Sequence, residues 1–531
     1  MQRRKFIYKS GITALGASLF IHCKTVTTQA EAKPALDLSE ITIDELQAGY
    51  KAGKFTIEEV THYYLTQIES LDKNGPRLNA VIEINPDAIP IAKELDMEFK
   101  AGKIRGPLHG IPILIKDNID TGDQMMTTAG SLAMLGNKAK NDAFIVSQLR
   151  KAGAVLLGKT NLSEWANFRS SRSSSGWSSR GGQTLNPYVL DHSPCGSSSG
   201  SGAAAAANLT AIAIGTETDG SVACPSSINC LVGIKPTVGL WSRSGIIPIS
   251  STQDTAGPMT RTVKDAAILL SALTGMDPND EKTIASEGKA IADYTRSLNT
   301  ATLKGKRFGL DKSFLKKHEE IDLLLKNTLD QMKQAGAEII EVDFMKPNRE
   351  LGDDEYKVLK YEFKAGLNKY LSKANLENVK SLDDIIKYNA EHDSTAMPFF
   401  DQEILLECKD LGDLKTEEYI KALKGSFDRS KKVIDDLLQT NKLDALMGPA
   451  TGASWCIDKV NGDHFTGYGA YGIAATAGYP SITVPMGFIH DLPIGMSFFG
   501  SAWEEEKLIH IGFAFEQLTK ARKPPKFIKS I

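Results

Sequence analysis

The sequence predicts an α/β protein: one large layered α/β/α domain whose mixed, twisted central sheet is covered by helices on both faces. Two observations carry this. Between about residues 106 and 275, short apolar runs of strand length alternate with segments of helical period. After a charged segment at about 276–440, the same core character returns at 443–500. A chain of 531 residues that is 41% hydrophobic can bury a core of that size.

Residues 1–36 read as an export leader and tether, and the folded domain as 37–531. Arg3-Arg4 precedes an apolar run, Gly11 to Ile21, too short to span a bilayer as a stable helix. That order resembles a twin-arginine export signal. Cys23 closes the run as a lipoprotein cysteine would, although Phe20-Ile21-His22 is a poor lipobox; it is the one candidate membrane anchor. The expected location is therefore periplasmic or lipid-anchored, and cytoplasmic if the leader does not function.

The first helix opens at Thr42, with Glu45 completing a capping box, and Thr56 caps a second whose Val60, Tyr64 and Ile68 recur at intervals of four. Leu78 to Ile84 reads as a strand. Gly110 to Ile115 is a short buried strand, followed by an amphipathic helix from Ala143 that stops at Gly153. Ala154–Gly158, Ala211–Gly215 and Val232–Pro236 are further strands, and Ala203–Leu209 is a helix of small side chains. Segment 276–440 reads as a helical insertion laid over the sheet, with the odd strand such as Glu338–Val342. Ala445–Gly448, Ser481–Pro485 and Ile494–Gly500 return to the core. The pattern favours one domain with an insertion over two domains.

A net charge of −3 offers no basic stripe and excludes a nucleic-acid partner of the usual kind. Six cysteines are too few for a disulfide framework; Cys195, Cys224 and Cys230 read as buried free thiols. The nine histidines form no HxH or HExxH pattern, since Asp322 stands where a zinc helix starting at His318 would need its second histidine. No metal and no cofactor are expected.

Three segments carry chemistry. Lys116 ends the apolar run Ile111-Pro-Ile-Leu-Ile. Ser197 and Ser198 lie in Pro194-Cys195-Gly196-Ser197-Ser198-Ser199-Gly200-Ser201-Gly202. Ser221 ends Gly215-Thr-Glu-Thr218-Asp219-Gly220-Ser221, 24 residues after Ser197. A serine hydroxyl is a weak nucleophile until a base takes its proton, and no histidine lies in these turns. A lysine can serve once burial has made its neutral form accessible. The glycine-bearing turn after strand 211–215 can aim the amides of Thr218, Asp219 and Gly220 at one point, an oxyanion hole. Taken alone, the Ser197 turn could equally be a flexible loop or an anion-binding nest, and Lys116 a strand-edge lysine.

Together these motifs resemble the amidase signature family over most of residues 40–520. Gly233-Ile-Lys235-Pro236-Thr237, Asp254-Thr-Ala-Gly257-Pro258-Met259 and Ala477–Pro485 extend the match. The resemblance implies a Ser–cis-Ser–Lys triad: Ser221 as nucleophile, Ser197 after a cis Gly196–Ser197 peptide as the bridge, Lys116 as the base, and Ser198 as a supporting neighbour. It implies hydrolysis of a small-molecule or peptide amide through an acyl-enzyme. Alternatives are a glutamyl-tRNA amidotransferase A-like subunit or a catalytically silent relative. Many members carry an arginine soon after the nucleophile; Val222-Ala-Cys224-Pro has none, so substrates held there by a carboxylate are disfavoured. Thr160–Phe168 and Thr216–Asp219 look like the peptide amidase branch. The pocket is expected to be lined by the 120–180 region and the insertion.

Overall fold

Eleven strands hydrogen-bond into one mixed sheet, described here from a computed structural model covering residues 36–531. The export motif, Cys23 and most of the tether lie outside the described residues. The strands are β1 (Val81–Ile84), β2 (Pro112–Lys116), β3 (Val155–Thr160), β6 (Ile212–Glu217), β7 (Val232–Lys235), β8 (Thr255–Thr260), β9 (Arg307–Asp311), β10 (Glu338–Val342), β11 (Ala445–Pro449), β12 (Ser481–Ile489) and β13 (Leu492–Phe499); β4 (Trp177–Ser178) and β5 (Gly182–Gln183) form a separate ribbon. Their order across the sheet is β1-β3-β2-β6-β8-β7-β12-β13-β11-β9-β10. Parallel pairs (β2 with β3 and β6, β9 with β10 and β11) sit among antiparallel ones.

The central strands are buried along their whole length, which is why they read as continuous apolar runs rather than alternating ones. Helices cover both faces. Ile482 and Val484 of β12 point at Gly512 of the helix Glu505–Thr519. Thr483 points the other way, toward Gly495 and Ser227 of the helix Ala223–Ile228.

The predicted capping box of Thr42 with Glu45 forms, and the predicted cap Thr56 completes one with Glu59. The charged segment differs from expectation. Besides the helices Glu319–Gln334 and Met345–Leu371, it supplies the expected strand β10 and an unexpected one, β9, and both extend the main sheet. Phe308 and Leu310 of β9 are buried, and Gly309 packs against Leu446 of β11. Five residues with a glycine at the centre and charge at both ends give too little pattern to read as a strand. Among the described residues no helix is long and apolar enough to cross a membrane.

Candidate active site

Parallel strands β2 and β6 end side by side, in register Ile115 with Ile214. The C-terminal ends of such strands open onto the crevice where α/β sheets bind ligands. Lys116 is the last residue of β2, and the Ser221 turn follows β6 directly. The Ser197 turn reaches the same place as the entry to the helix Ser199–Ala206, which packs over β2, β3, β6 and β8. Thr160 Oγ1 and Ser201 Oγ lie 2.7 Å apart, and Ser201 Oγ donates to Ile214 O at 2.9 Å, pinning that helix to the strands.

Lys116 is fully buried. Its Nζ lies 2.7 Å from Ser197 Oγ, 3.0 Å from Ser198 Oγ, 2.9 Å from Thr216 Oγ1 and 3.3 Å from Thr216 O. Ser198 Oγ spends its own proton on Thr216 O at 3.0 Å, and Thr216 Oγ1 also accepts from Asn118 Nδ2 at 3.0 Å. The amine thus sits in a cage of hydroxyls without a carboxylate in contact. Burial pushes its pKa down to about 7, against a smaller upward pull from Asp254 and Glu217.

The Gly196–Ser197 peptide is cis. Ser198 N donates to Ser221 O at 3.3 Å, joining the two serine turns directly. Glu217 Oε2 accepts from the amides of Val222 at 2.7 Å and Ala223 at 2.9 Å, fixing the chain just beyond Ser221. Gly220 has φ +76°, and a Cβ there would fall 2.3 Å from the Tyr471 ring, so the turn admits only glycine. The amides of Asp219, Gly220 and Ser221 donate to no acceptor among the described residues. Thr218 Oγ1 donates to Asp254 Oδ1 at 2.6 Å, and Asp254 Oδ2 accepts from the amides of Ile249 and Ser250, both at 2.8 Å.

Ser221 opens onto a cavity of about 140 Å³, lined with it by Gly196, Thr218, Asp219 and Gly220, by the Phe168 segment, and by Ile249, Leu359, Phe465 and Tyr471. The expected 120–180 region supplies only residues 166–168, and the expected insertion supplies Leu359. Phe465 and Tyr471 come from a stretch that the sequence pattern left without a role. The Phe168 wall is held by Arg169, whose Nη1 donates to Glu164 Oε1 at 2.8 Å while its guanidinium lies over Trp177 and Phe400. Among the described residues, no arginine or lysine lines the cavity. Among the described residues, no group of three or more His, Cys, Asp or Glu side chains is placed to hold a metal.

The free-thiol reading fails for two cysteines: Cys195 and Cys224 form a disulfide, while Cys230 is a buried thiol. The signal was present in their positions. Cys195 stands two residues before Ser197 and Cys224 three after Ser221. Once the two serine turns meet, their flanking cysteines must meet as well. Thr216, Asn118 and Tyr471 also escaped notice, because each acts through a neighbour distant in sequence.

This sheet and this buried lysine with its serines define an amidase. The Amidase family model matches residues 59–509, and the chain belongs to that family. It is similar to the native peptide amidase of Stenotrophomonas maltophilia, with 48% identity, a TM-score of 0.87, and coverage of 93% of this chain and 100% of that one. A probable amidase of Arabidopsis thaliana is 41% identical over 94% of both chains. The A component of the glutamyl-tRNA(Gln) amidotransferase of Pseudomonas savastanoi pv. phaseolicola is 33% identical over 91% of this chain and 98% of its own length.

Proposed function

We propose that this amidase hydrolyses primary carboxamides, C-terminal peptide amides among them, through an acyl-enzyme on Ser221. One observation carries the reading: a fully buried amine with a pKa of about 7 lies 2.7 Å from Ser197 Oγ, whose turn is tied to the Ser221 turn. Neutral Lys116 accepts the Ser197 proton as Ser197 accepts that of Ser221, and Ser221 Oγ bonds to the amide carbon. The oxyanion meets the amides of Thr218, Asp219 and Gly220, each donor contributing about 3–4 kcal/mol to the transition state. Ser197 returns its proton to the departing nitrogen, the C–N bond breaks, and ammonia leaves. Water then cleaves the ester by the same relay in reverse. Ser198 supports the relay by holding the amine against Thr216.

The similarity to peptide amidases supports the peptide-amide class, and the absence of a cation in the cavity accords with substrates that offer no carboxylate there. A screen of peptide amides, amino-acid amides and fatty amides with the purified chain tests this. The outcome that sinks it is turnover of none of them, or a Ser221→Ala variant as active as the parent. The amidotransferase reading is favoured by 33% identity to the glutamyl-tRNA(Gln) amidotransferase component. That protein is one part of a larger enzyme, so amide turnover by the isolated chain decides against it. Export rests on the leader alone: replacing Arg3-Arg4 by two lysines should strand the protein in the cytoplasm, as read by cell fractionation.

A further inference from the structure

The substrate cavity contains one carboxyl that the proposed reaction leaves idle. Asp219 lends its backbone amide to the turn, but its side chain opens into the cavity. That carboxyl has no hydrogen-bond or ion-pair partner among the described residues; protein crowds around it, yet it keeps an exposed surface toward a cavity that is half-open to solvent. The aromatic rings of Phe168, Phe465 and Tyr471 line the same cavity, and among the described residues no Lys, Arg or His does. Glu355, on the helix Met345–Leu371, accepts from Gln253 Nε2 at 2.9 Å and adds its charge to the field at Asp219.

Crowding protein around an unpaired carboxylate costs it part of its hydration even where one side stays open to solvent. Burial, with Glu355 and Glu217 nearby, pushes the Asp219 pKa well up, and the distant pull of Lys235 does not offset this. A ligand cation would remove that penalty, and aromatic faces beside a carboxylate are favourable surroundings for one. An anionic ligand would meet repulsion. The charges that bear on Lys116 are those of Asp254 and Glu217. Asp219 is not among them.

We propose that Asp219 determines specificity by pairing its carboxylate with an ammonium or guanidinium on the substrate, so that cationic amides are preferred over neutral and anionic ones. This rests on the amidase reading above and goes beyond it by naming the substrate's charge.

Binding separates the two ideas. In the full chain carrying Ser221→Ala, calorimetry would compare Nα-acetyl-lysinamide with Nα-acetyl-norleucinamide, and leucinamide with Nα-acetyl-leucinamide. The first pair places the cation on the side chain, the second at the amino terminus. In at least one pair the cationic member should bind about tenfold tighter or more, a difference of about 1.4 kcal/mol. Asp219→Asn in that background should bring the pair to within about twofold, and Glu355→Gln should narrow it less. Thermal unfolding establishes that both variants fold; if Asp219→Asn does not, Glu355→Gln carries the test. Equal binding within both pairs overturns the proposal, as does a preference that survives Asp219→Asn. The first result is also what an Asp219 that merely accepts the carboxamide N–H would give. Wild-type turnover of the neutral amides is scored separately, so failure of the amidase reading leaves the charge comparison intact.

Discussion

Lys116 and Lys159 are both fully buried, on neighbouring strands, yet their surroundings suit different work. In the β2–β3 register, Lys159 pairs with Ile115, while Lys116 pairs with Thr160. That one-residue offset sends the two side chains to opposite faces of the sheet. Lys116 meets the hydroxyls of Ser197, Ser198 and Thr216. Lys159 Nζ donates to Ile119 O at 2.6 Å and Thr127 Oγ1 at 3.0 Å. Burial lowers both amines. Four acids (Asp117, Asp120, Asp123 and Glu83) pull Lys159 back up, whereas only Asp254 and Glu217 do so for Lys116. A buried lysine is suited to act as a base when hydroxyls, rather than carboxylates, keep it company.

Removing the Lys116 amine should break this comparison most visibly. Lys116→Ala should lower kcat/KM by about 10⁴-fold or more, as should Ser221→Ala, with the fold intact by circular dichroism. A Lys116→Ala enzyme of near-normal rate would end the assignment of the base.

The pH profile sharpens it. The relay needs neutral Lys116, so kcat/KM should fall about tenfold per unit below an apparent pKa near 7. Stability carries the same signature. The folded amine holds its proton more weakly than the unfolded one, whose value is 10.5. Between about pH 7 and 10.5 the unfolded state therefore binds more protons, and stability rises with pH. Urea unfolding of wild type minus Lys116→Met should show this slope as about 1.4 kcal/mol per unit. A flat difference across that window would contradict a depressed amine.

Removal of the Cys195–Cys224 link, which spans 29 residues, should lower stability by about 2–4 kcal/mol in urea. It should also lower turnover per folded molecule, because it loosens the Ser197 turn relative to Ser221.

Lys159→Met gives the smallest effect. Unfolding free energy should drop by roughly 1–3 kcal/mol, since two buried acceptors lose their donor. Turnover per folded molecule should change far less than for Lys116→Ala. If Lys159→Met were the more damaging to catalysis, the roles assigned to the two faces would be reversed.

Much of the molecule was legible in the chain. The capping boxes at Thr42 and Thr56, the helix ending at Gly153 and the buried strands β2, β3, β6 and β7 follow from local signals. Strand β10 was legible as Glu338–Val342, but β9 was harder, because one of its two pairing partners, β11, lies more than a hundred residues downstream. The disulfide stayed hidden for the same kind of reason: 29 residues part its cysteines, and only the meeting of two turns unites them.

By itself the sequence determined which residue types are available and how each segment folds locally: an apolar strand ending in a lysine, and two glycine-rich serine turns. Hydrophobic period and turn chemistry act over a few residues and need no partner to be read. Tertiary structure alone decided how the Lys116 amine is caged by hydroxyls while Lys159 faces the other side of the sheet, where the idle carboxyl of Asp219 opens, and which aromatic rings line its cavity. Those outcomes depend on strand register and on contacts between segments hundreds of residues apart, where a shift of one residue exchanges one face of the sheet for the other.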